Sequence, residues 1–207
     1  MKKENLTIAL ALVAAGCAAV SMHDSGQVSD AQVAATLKSS FKAHGQATLD
    51  RLDQDPLQKA CTQYGTREIP KDAAERLQSE QMKLVKLPAD GKLLGDWKSG
   101  EKIAQTGVGL QYSDNPKQPA GGNCYACHEL TKQEVSFGTI GPSLYRFGKT
   151  RGFTPEMEKY AYSKVYDADA FSACSNMPRF GYKHILTEQQ IKDVTALLMD
   201  PASPVNQ

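Results

Sequence analysis

Apolar residues in this chain recur at intervals of three and four, the period of helices rather than of half-buried strands. Ser29-Asp30-Ala31-Gln32 has the form of a capping box, and Val33, Leu37 and Phe41 then fall on one stripe. Gly45 interrupts it. Leu49 and Leu52 mark a second helical stretch, and Pro56 suits the start of a third carrying Leu57, Cys61 and Tyr64. Ile69-Pro70 breaks the pattern, and Asp72 to Lys86 resumes it without a strong apolar stripe. Pro88-Ala89-Asp90-Gly91 is the strongest punctuation and places a boundary there. Beyond it, Leu94, Trp97, Ile103 and Ala104 predict a short helix, followed by a loop rich in Gly, Pro and Asn from Gly107 to Gly122. Gly138, Gly141, Pro142, Gly148 and Gly152 keep the next stretch loop-like. Thr154-Pro155 opens a helix to about Asp167, and the capping box Thr187 to Gln190 opens a last one. That final helix turns Ile191, Val194, Leu197 and Leu198 inward and ends before Pro201. Neither strand alternation nor an internal repeat is visible, so the reading is all-α with loops long enough to wrap something.

The first residues read as an address. Met1-Lys2-Lys3 is cationic, Leu6 to Ala15 is uncharged and mostly apolar, and small residues follow. This is the layout of a secretory signal, and the run is shorter than the roughly 20 residues of a membrane span. Ala14-Ala15-Gly16-Cys17 also resembles a lipoprotein box in which Cys17 takes a lipid, although the usual leucine three places earlier is missing. Residues 1–22 are therefore expected to be a signal peptide or lipoprotein signal, residues 23–91 a helical extension, and residues 92–207 the main domain. An exported, periplasmic chain is permitted disulfides.

Composition narrows the class further. Lys and Arg number 24 and Asp and Glu 23, a net charge of 24 − 23 = +1, which argues against a nucleic-acid binder. Apolar residues at 41% are too many for a disordered chain.

Cys124-Tyr125-Ala126-Cys127-His128 is C-x-x-C-H, the attachment signature of c-type haem. Two thiols three positions apart on one turn can each form a thioether to a vinyl group of one porphyrin, and the adjacent histidine can ligate its iron. A zinc site would call for a second ligand pair, and a thioredoxin-like redox pair for a βαβ context; neither is visible. One motif predicts one covalently bound haem c. Met157, Met177, Met199 and His184 are the downstream candidates for the sixth iron position. Met157 and Met199 fall in predicted helices, where methionine commonly fills core. Met177 precedes Pro178, which disfavours helical backbone and leaves the side chain free to project, so Met177 is the expected partner of His128. Gly141-Pro142-Ser143-Leu144 suits the haem pocket, with the Pro142 carbonyl accepting from the histidine and Leu144 packing on the ring. Cys61 and Cys174 remain, and a disulfide is expected between them, against two buried thiols or Cys174 as an iron ligand. Arg146, Lys149 and Arg151, with Arg179 and Lys183 beside Met177, could rim the haem edge and steer an acidic partner. Trp97, Tyr112 and Tyr125 are expected as pocket packing.

The C-x-x-C-H motif, Gly138 to Leu144, Cys174 to Gly181 and the ending Pro201 to Asn206 together resemble the SoxX subunit of the SoxAX cytochromes of bacterial sulfur oxidation. The resemblance spans roughly residues 92–206, and the extension before it looks like that of the longer subtype. It implies a class I cytochrome c domain with Cys124 and Cys127 holding haem and His128 and Met177 ligating iron. It also implies a SoxA-type haem subunit as partner, a carrier protein with a swinging-arm cysteine, and a small cytochrome as electron acceptor. In such a complex, an L-cysteine S-thiosulfotransferase, thiosulfate is joined oxidatively to the carrier's cysteine, and the sulfur chemistry is expected on the partner. The rival readings are a free-standing periplasmic electron shuttle and a haem-based sensor with an open iron site.

Overall fold

A computed structural model describes residues 28–65 and 67–207. Two units separate between Ser40 and Phe41. The described part of the first is a helix, α1 (Asp30–Ser40), opened as expected: the Ser29 amide donates to Gln32 Oε1 at 2.8 Å, and the Gln32 amide donates to Ser29 Oγ at 3.3 Å. Its stripe is not core, however, since no side chain of α1 is buried and Val33 is 45% exposed.

The second unit, Phe41–Gln207, holds six helices: α2 (Pro56–Tyr64), α3 (Lys71–Met82), α4 (Trp97–Gln105), α5 (Phe147–Arg151), α6 (Pro155–Tyr166) and α7 (Glu188–Met199). No strand forms among the described residues beyond an isolated bridge between His44 and Ala47. Leu49–Leu52 is a single 3-10 turn, not a full helix. α5 was hidden because its five residues carry a single large apolar side chain, Phe147, and two glycines, Gly148 within it and Gly152 after it, read as loop.

The helix ends follow from local chemistry. Asp55 caps α2, accepting from the Gln58 amide at 3.0 Å while Gln58 Oε1 accepts from the Asp55 amide at 3.0 Å. Asp96 caps α4, Thr154 caps α6, and Thr187 with Gln190 closes the box of α7. Each satisfies amides that lack partners in a helical first turn.

α4 and α7 cross closely because Gly100 stands at the crossing. A Cβ there would lie 2.2 Å from the Asp193 carbonyl oxygen. Along these two helices the core divides. Ala104, Tyr125, Leu130, Phe147, Leu197 and Leu198 form one cluster, and Ile103, Tyr162, Tyr166, Phe180, Ile191 and Val194 form another. Ile103 and Ala104 are neighbours on α4 yet face different clusters, so this helix is shared by both halves of the core.

The residues before α4 are tied to the rest of this unit. Lys192 of α7 reaches Asp90 at 3.2 Å, and Asp193 accepts from the Asp96 amide at 2.9 Å. Ala73 and Leu77 bury one face of α3, with Gln81 on the same stripe. Such a stripe, with one alanine, one leucine and one glutamine, is too polar to stand out in sequence. At the C-terminus Ser203 and Asn206 bond back to the Leu197 and Leu198 carbonyls at 2.5 and 3.1 Å, which seats Val205 fully in the core.

Candidate functional site

Cys124–Ala126 is a 3-10 turn entered through Asn123 in the left-handed region, at φ 47°. The amides of Cys127 and His128 both donate to the Cys124 carbonyl, at 3.1 and 2.9 Å, so two thiols and an imidazole leave one turn. The turn hangs from the end of α4: Gly122 donates to the Ile103 carbonyl at 2.8 Å and Asn123 to the Thr106 carbonyl at 2.9 Å. Cys124 and Cys127 are both half-buried and neither enters the disulfide.

The loop 138–144 zips along this turn. Gly138 donates to the Tyr125 carbonyl at 2.8 Å, Gly141 to Cys127 at 2.8 Å, and Leu144 to Glu129 at 2.7 Å. Consequently the Pro142 carbonyl oxygen sits 2.7 Å from His128 Nδ1. A carbonyl can only accept, so Nδ1 carries the proton and Nε2 presents its lone pair. Gly141 is obligatory in this contact, because a Cβ there would lie 2.2 Å from His128 Cε1. Leu144 and Cys124 pack against the first core cluster.

Beneath the turn lies a polar group the sequence did not announce. Tyr125 is buried, and its hydroxyl stands 3.1 Å from both Glu101 Oε1 and Thr131 Oγ1. The second oxygen of Glu101 is buried without a partner, and burial raises its pKa. Glu101 lies in a charged stretch of α4, where nothing in the sequence separates a buried carboxylate from a solvated one.

Met177 is half-buried on the second core cluster, its amide donating to Ser175 Oγ at 3.1 Å. Of the other candidates, Met199 is core at 1% exposure, Met157 packs on the first cluster, and His184 is exposed in a left-handed turn at φ 53°. Cys61 is bonded to Cys174, with 5.5 Å between their Cα atoms. Arg179 departs from expectation. It is 6% exposed and locked between Asp55 at 2.5 Å and Asp169 at 3.6 Å, so it is withdrawn from any steering surface. Lys183 likewise pairs with Asp55 at 2.8 Å. Arg146, Lys149 and Arg151 remain exposed on and beside α5. Tyr112 is also misjudged as packing; it is 59% exposed and meets His44 edge-on.

Two cysteine sulfurs, an imidazole whose Nδ1–H is held by the Pro142 carbonyl, and the glycine cradle behind it form a donor set that suits a covalently attached iron porphyrin. Among the described residues no group of three or more His, Cys, Asp or Glu stands together as a metal cage. Residues 99–200 match the family model for cytochrome c. A lipoprotein of Aquifex aeolicus, described as uncharacterized, is 37% identical over 158 residues, 74% of this chain and 73% of the relative. The chain carries a cytochrome c domain. Its cytochrome c domain carries covalently bound haem c and serves electron transfer. The match begins two residues into α4 and ends just past α7, and so takes in both crossing helices, the C-x-x-C-H turn and the Met177 loop.

Proposed function

We propose that this cytochrome is the monohaem electron-transfer subunit of a SoxAX-type complex, with Cys124 and Cys127 as thioether anchors and His128 Nε2 and the Met177 sulfur as iron ligands. The observation that carries the ligand assignment is the 2.7 Å contact between His128 Nδ1 and the Pro142 carbonyl, which fixes the tautomer a metal requires. Haem c bound by these residues would supply one-electron storage. The chain itself contributes orientation: loop 138–144 holds the imidazole, and the Met177 loop would supply the second iron ligand. Exposed Arg146, Lys149 and Arg151 offer a basic surface to an acidic partner.

In this reading the two electrons released when thiosulfate sulfur joins the carrier's cysteine thiol pass singly through this chain to a small acceptor cytochrome. The sulfur step belongs to the SoxA-type partner, as the haem subunit of the thiosulfotransferase does not provide its acid, base or nucleophile. Support comes from the run Cys174 to Gly181 and from an extension covalently joined to it. The lipoprotein relative supports export to the periplasm, with a lipid on Cys17, which lies outside the described residues. No helix among the described residues is long and apolar enough to cross a membrane.

Purification of the native protein decides between complex and shuttle. Co-elution with a second haem chain and a low-spin spectrum indifferent to carbon monoxide is the expected result. Elution as a single chain supports a free-standing shuttle instead, and carbon monoxide binding to the unmodified protein supports a sensor.

A further inference from the structure

The segment from Asp55 to Met82 is joined to the Met177 loop at three separate points. Cys61 of α2 is bonded to Cys174, three residues before the methionine. Asp55, the cap of α2, divides its oxygens. Oδ1 accepts from the Gln58 amide at 3.0 Å, while Oδ2 meets Arg179, two residues past the methionine, at 2.5 Å. Gln81, the last buried residue of α3, accepts from Arg179 Nη1 at 3.2 Å. Arg179 also lies 3.6 Å from Asp169, which accepts from the Ser175 amide at 2.7 Å. The methionine is therefore bracketed by a covalent bond on one side and, on the other, a buried guanidinium paired with two carboxylates and the Gln81 amide oxygen. Cys174 is held at φ 58°, a left-handed conformation that a non-glycine residue keeps only when its surroundings impose it.

The bracket does not make this region tightly packed. A cavity of about 460 Å³ runs beside it, lined by Gln58, Cys61, Cys174, Met177 and Lys183 among others. Met177 thus borders open space on one side, so packing alone does not fix its loop. The cross-links have to.

We propose that α2 and α3 act as a clamp on the sixth iron ligand: Asp55, Cys61 and Gln81 position the Cys174–Arg179 segment so that Met177 stays on the metal. These are positioning residues; none touches the haem. The inference rests on Met177 being the ligand, as proposed above. Released, the loop can withdraw into the neighbouring cavity, opening the iron to an outside ligand and lowering its reduction potential, because methionine ligation raises it.

The test uses the haem-loaded protein and three readouts: the methionine-to-iron charge-transfer band of the ferric form, carbon monoxide titration of the ferrous form, and the reduction potential. Asp55→Asn keeps the cap of α2, since asparagine caps as well as aspartate, but removes the charge facing Arg179. It is expected to weaken the band, lower the potential and raise the carbon monoxide-accessible fraction about tenfold, equivalent to about 1.4 kcal/mol. Cys61→Ser with Cys174→Ser is expected to do the same, and combination with Asp55→Asn to do more. Ala196→Gly, a change within α7 at a buried residue outside both core clusters, serves as the control: it lowers stability yet leaves all three readouts unchanged. If the control moves them equally, the effect is general destabilisation and the clamp is refuted. Met177→Ala separates the two ideas. If the band survives that change, the ligand assignment fails and the clamp with it. If Met177→Ala abolishes the band while Asp55→Asn and the cysteine pair leave every readout at the wild-type value, the ligand stands and the clamp is wrong.

Discussion

His128 and Met177 face opposite demands and are held by opposite means. What orients His128 lies mostly between Asn123 and Leu144: one turn, one loop, the backbone hydrogen bonds that join them and the Pro142 carbonyl. The loop of Met177 is held instead by a disulfide across 113 residues and by an ion pair from Arg179 to Asp55. The histidine side uses neutral, local contacts that form as soon as the turn folds. The methionine side uses charge and a covalent bond, and it is complete only when distant parts of the chain have met. A covalently tethered porphyrin already holds the histidine side in place, so the methionine side is the one where ligand loss costs least and where cross-linking has most to add.

The comparison is broken most severely by removing the disulfide. Closing a loop this long in the unfolded chain is worth roughly 3–5 kcal/mol on the chain-entropy account. Cys61→Ser with Cys174→Ser is expected to lower the free energy of unfolding by that amount without changing helical content in water. A loss below about 1 kcal/mol would mean that the ion pairs, not the cross-link, hold the segment together.

Next in size is a pH effect from two carboxylates of the same region that pull in opposite directions. Asp167 is fully buried, its Oδ2 lacks a partner, and burial pushes its pKa up to about 6 despite the bond from the Asp169 amide. Below about pH 4 folded and unfolded chains both hold this proton. Between about 4 and about 6 only the folded chain does, so stability falls as pH rises and then levels off. Asp55 behaves in the reverse sense. Burial works against its charge, but Lys183, the Gln58 amide and Arg179 outweigh it and hold it at about 2, so its contribution is lost as pH falls from about 4 to about 2. Together they predict a stability crest near pH 4. Asp167→Asn should flatten the upper slope. Equilibrium unfolding at several pH values measures both, and an unchanged slope in the variant would exclude Asp167 as its source.

The sequence showed the histidine side far better than the methionine side, and the same contrast explains why. C-x-x-C-H and Gly141-Pro142 are local patterns, and a local pattern carries its geometry with it. The capping boxes of α1 and α7 were legible for the same reason. Cysteine counting suggested the pairing of Cys61 with Cys174, but Asp55 and Gln81 gave no signal: a helix cap and a glutamine reveal nothing about an arginine more than ninety residues later. Arg179 misled in the same way, since a cation beside a ligand reads as surface until its buried partners are known. α1 shows the converse failure, a correct helix whose apolar stripe is not buried.

A smaller effect tests the histidine side by itself. In Gly141→Ala the new methyl group would overlap His128 Cε1 at 2.2 Å, between a backbone tied to Cys127 and a ring tied to Pro142. Neither neighbour can yield cheaply, so a loss of about 1–3 kcal/mol is expected, with a shifted haem spectrum that reports a displaced imidazole. The disulfide and the Arg179 pairs should be untouched, and the Asp167 slope preserved. A normal spectrum in this variant would show that loop 138–144 can slide, contrary to a local, rigid histidine side.

Tyr125→Phe asks the gentlest version of the same question. Removal of the hydroxyl deprives Glu101 Oε1 of one donor and Thr131 of a partner, while the ring continues to fill the first core cluster. The expected loss is about 1 kcal/mol, the ordinary cost of unsatisfied buried polar groups that water does not replace. The Tyr125 hydrogen bond favours the ionised carboxylate and burial opposes it, so without the hydroxyl Glu101 should titrate at still higher pH. Carboxyl resonances followed by NMR measure that movement directly. Because this network underlies the C-x-x-C-H turn and makes no contact with the clamp, carbon monoxide access should stay at the wild-type level. Increased access in Tyr125→Phe would mean that the two sides communicate through α4, whose Ile103 and Ala104 serve both halves of the core, and their independence would have to be given up.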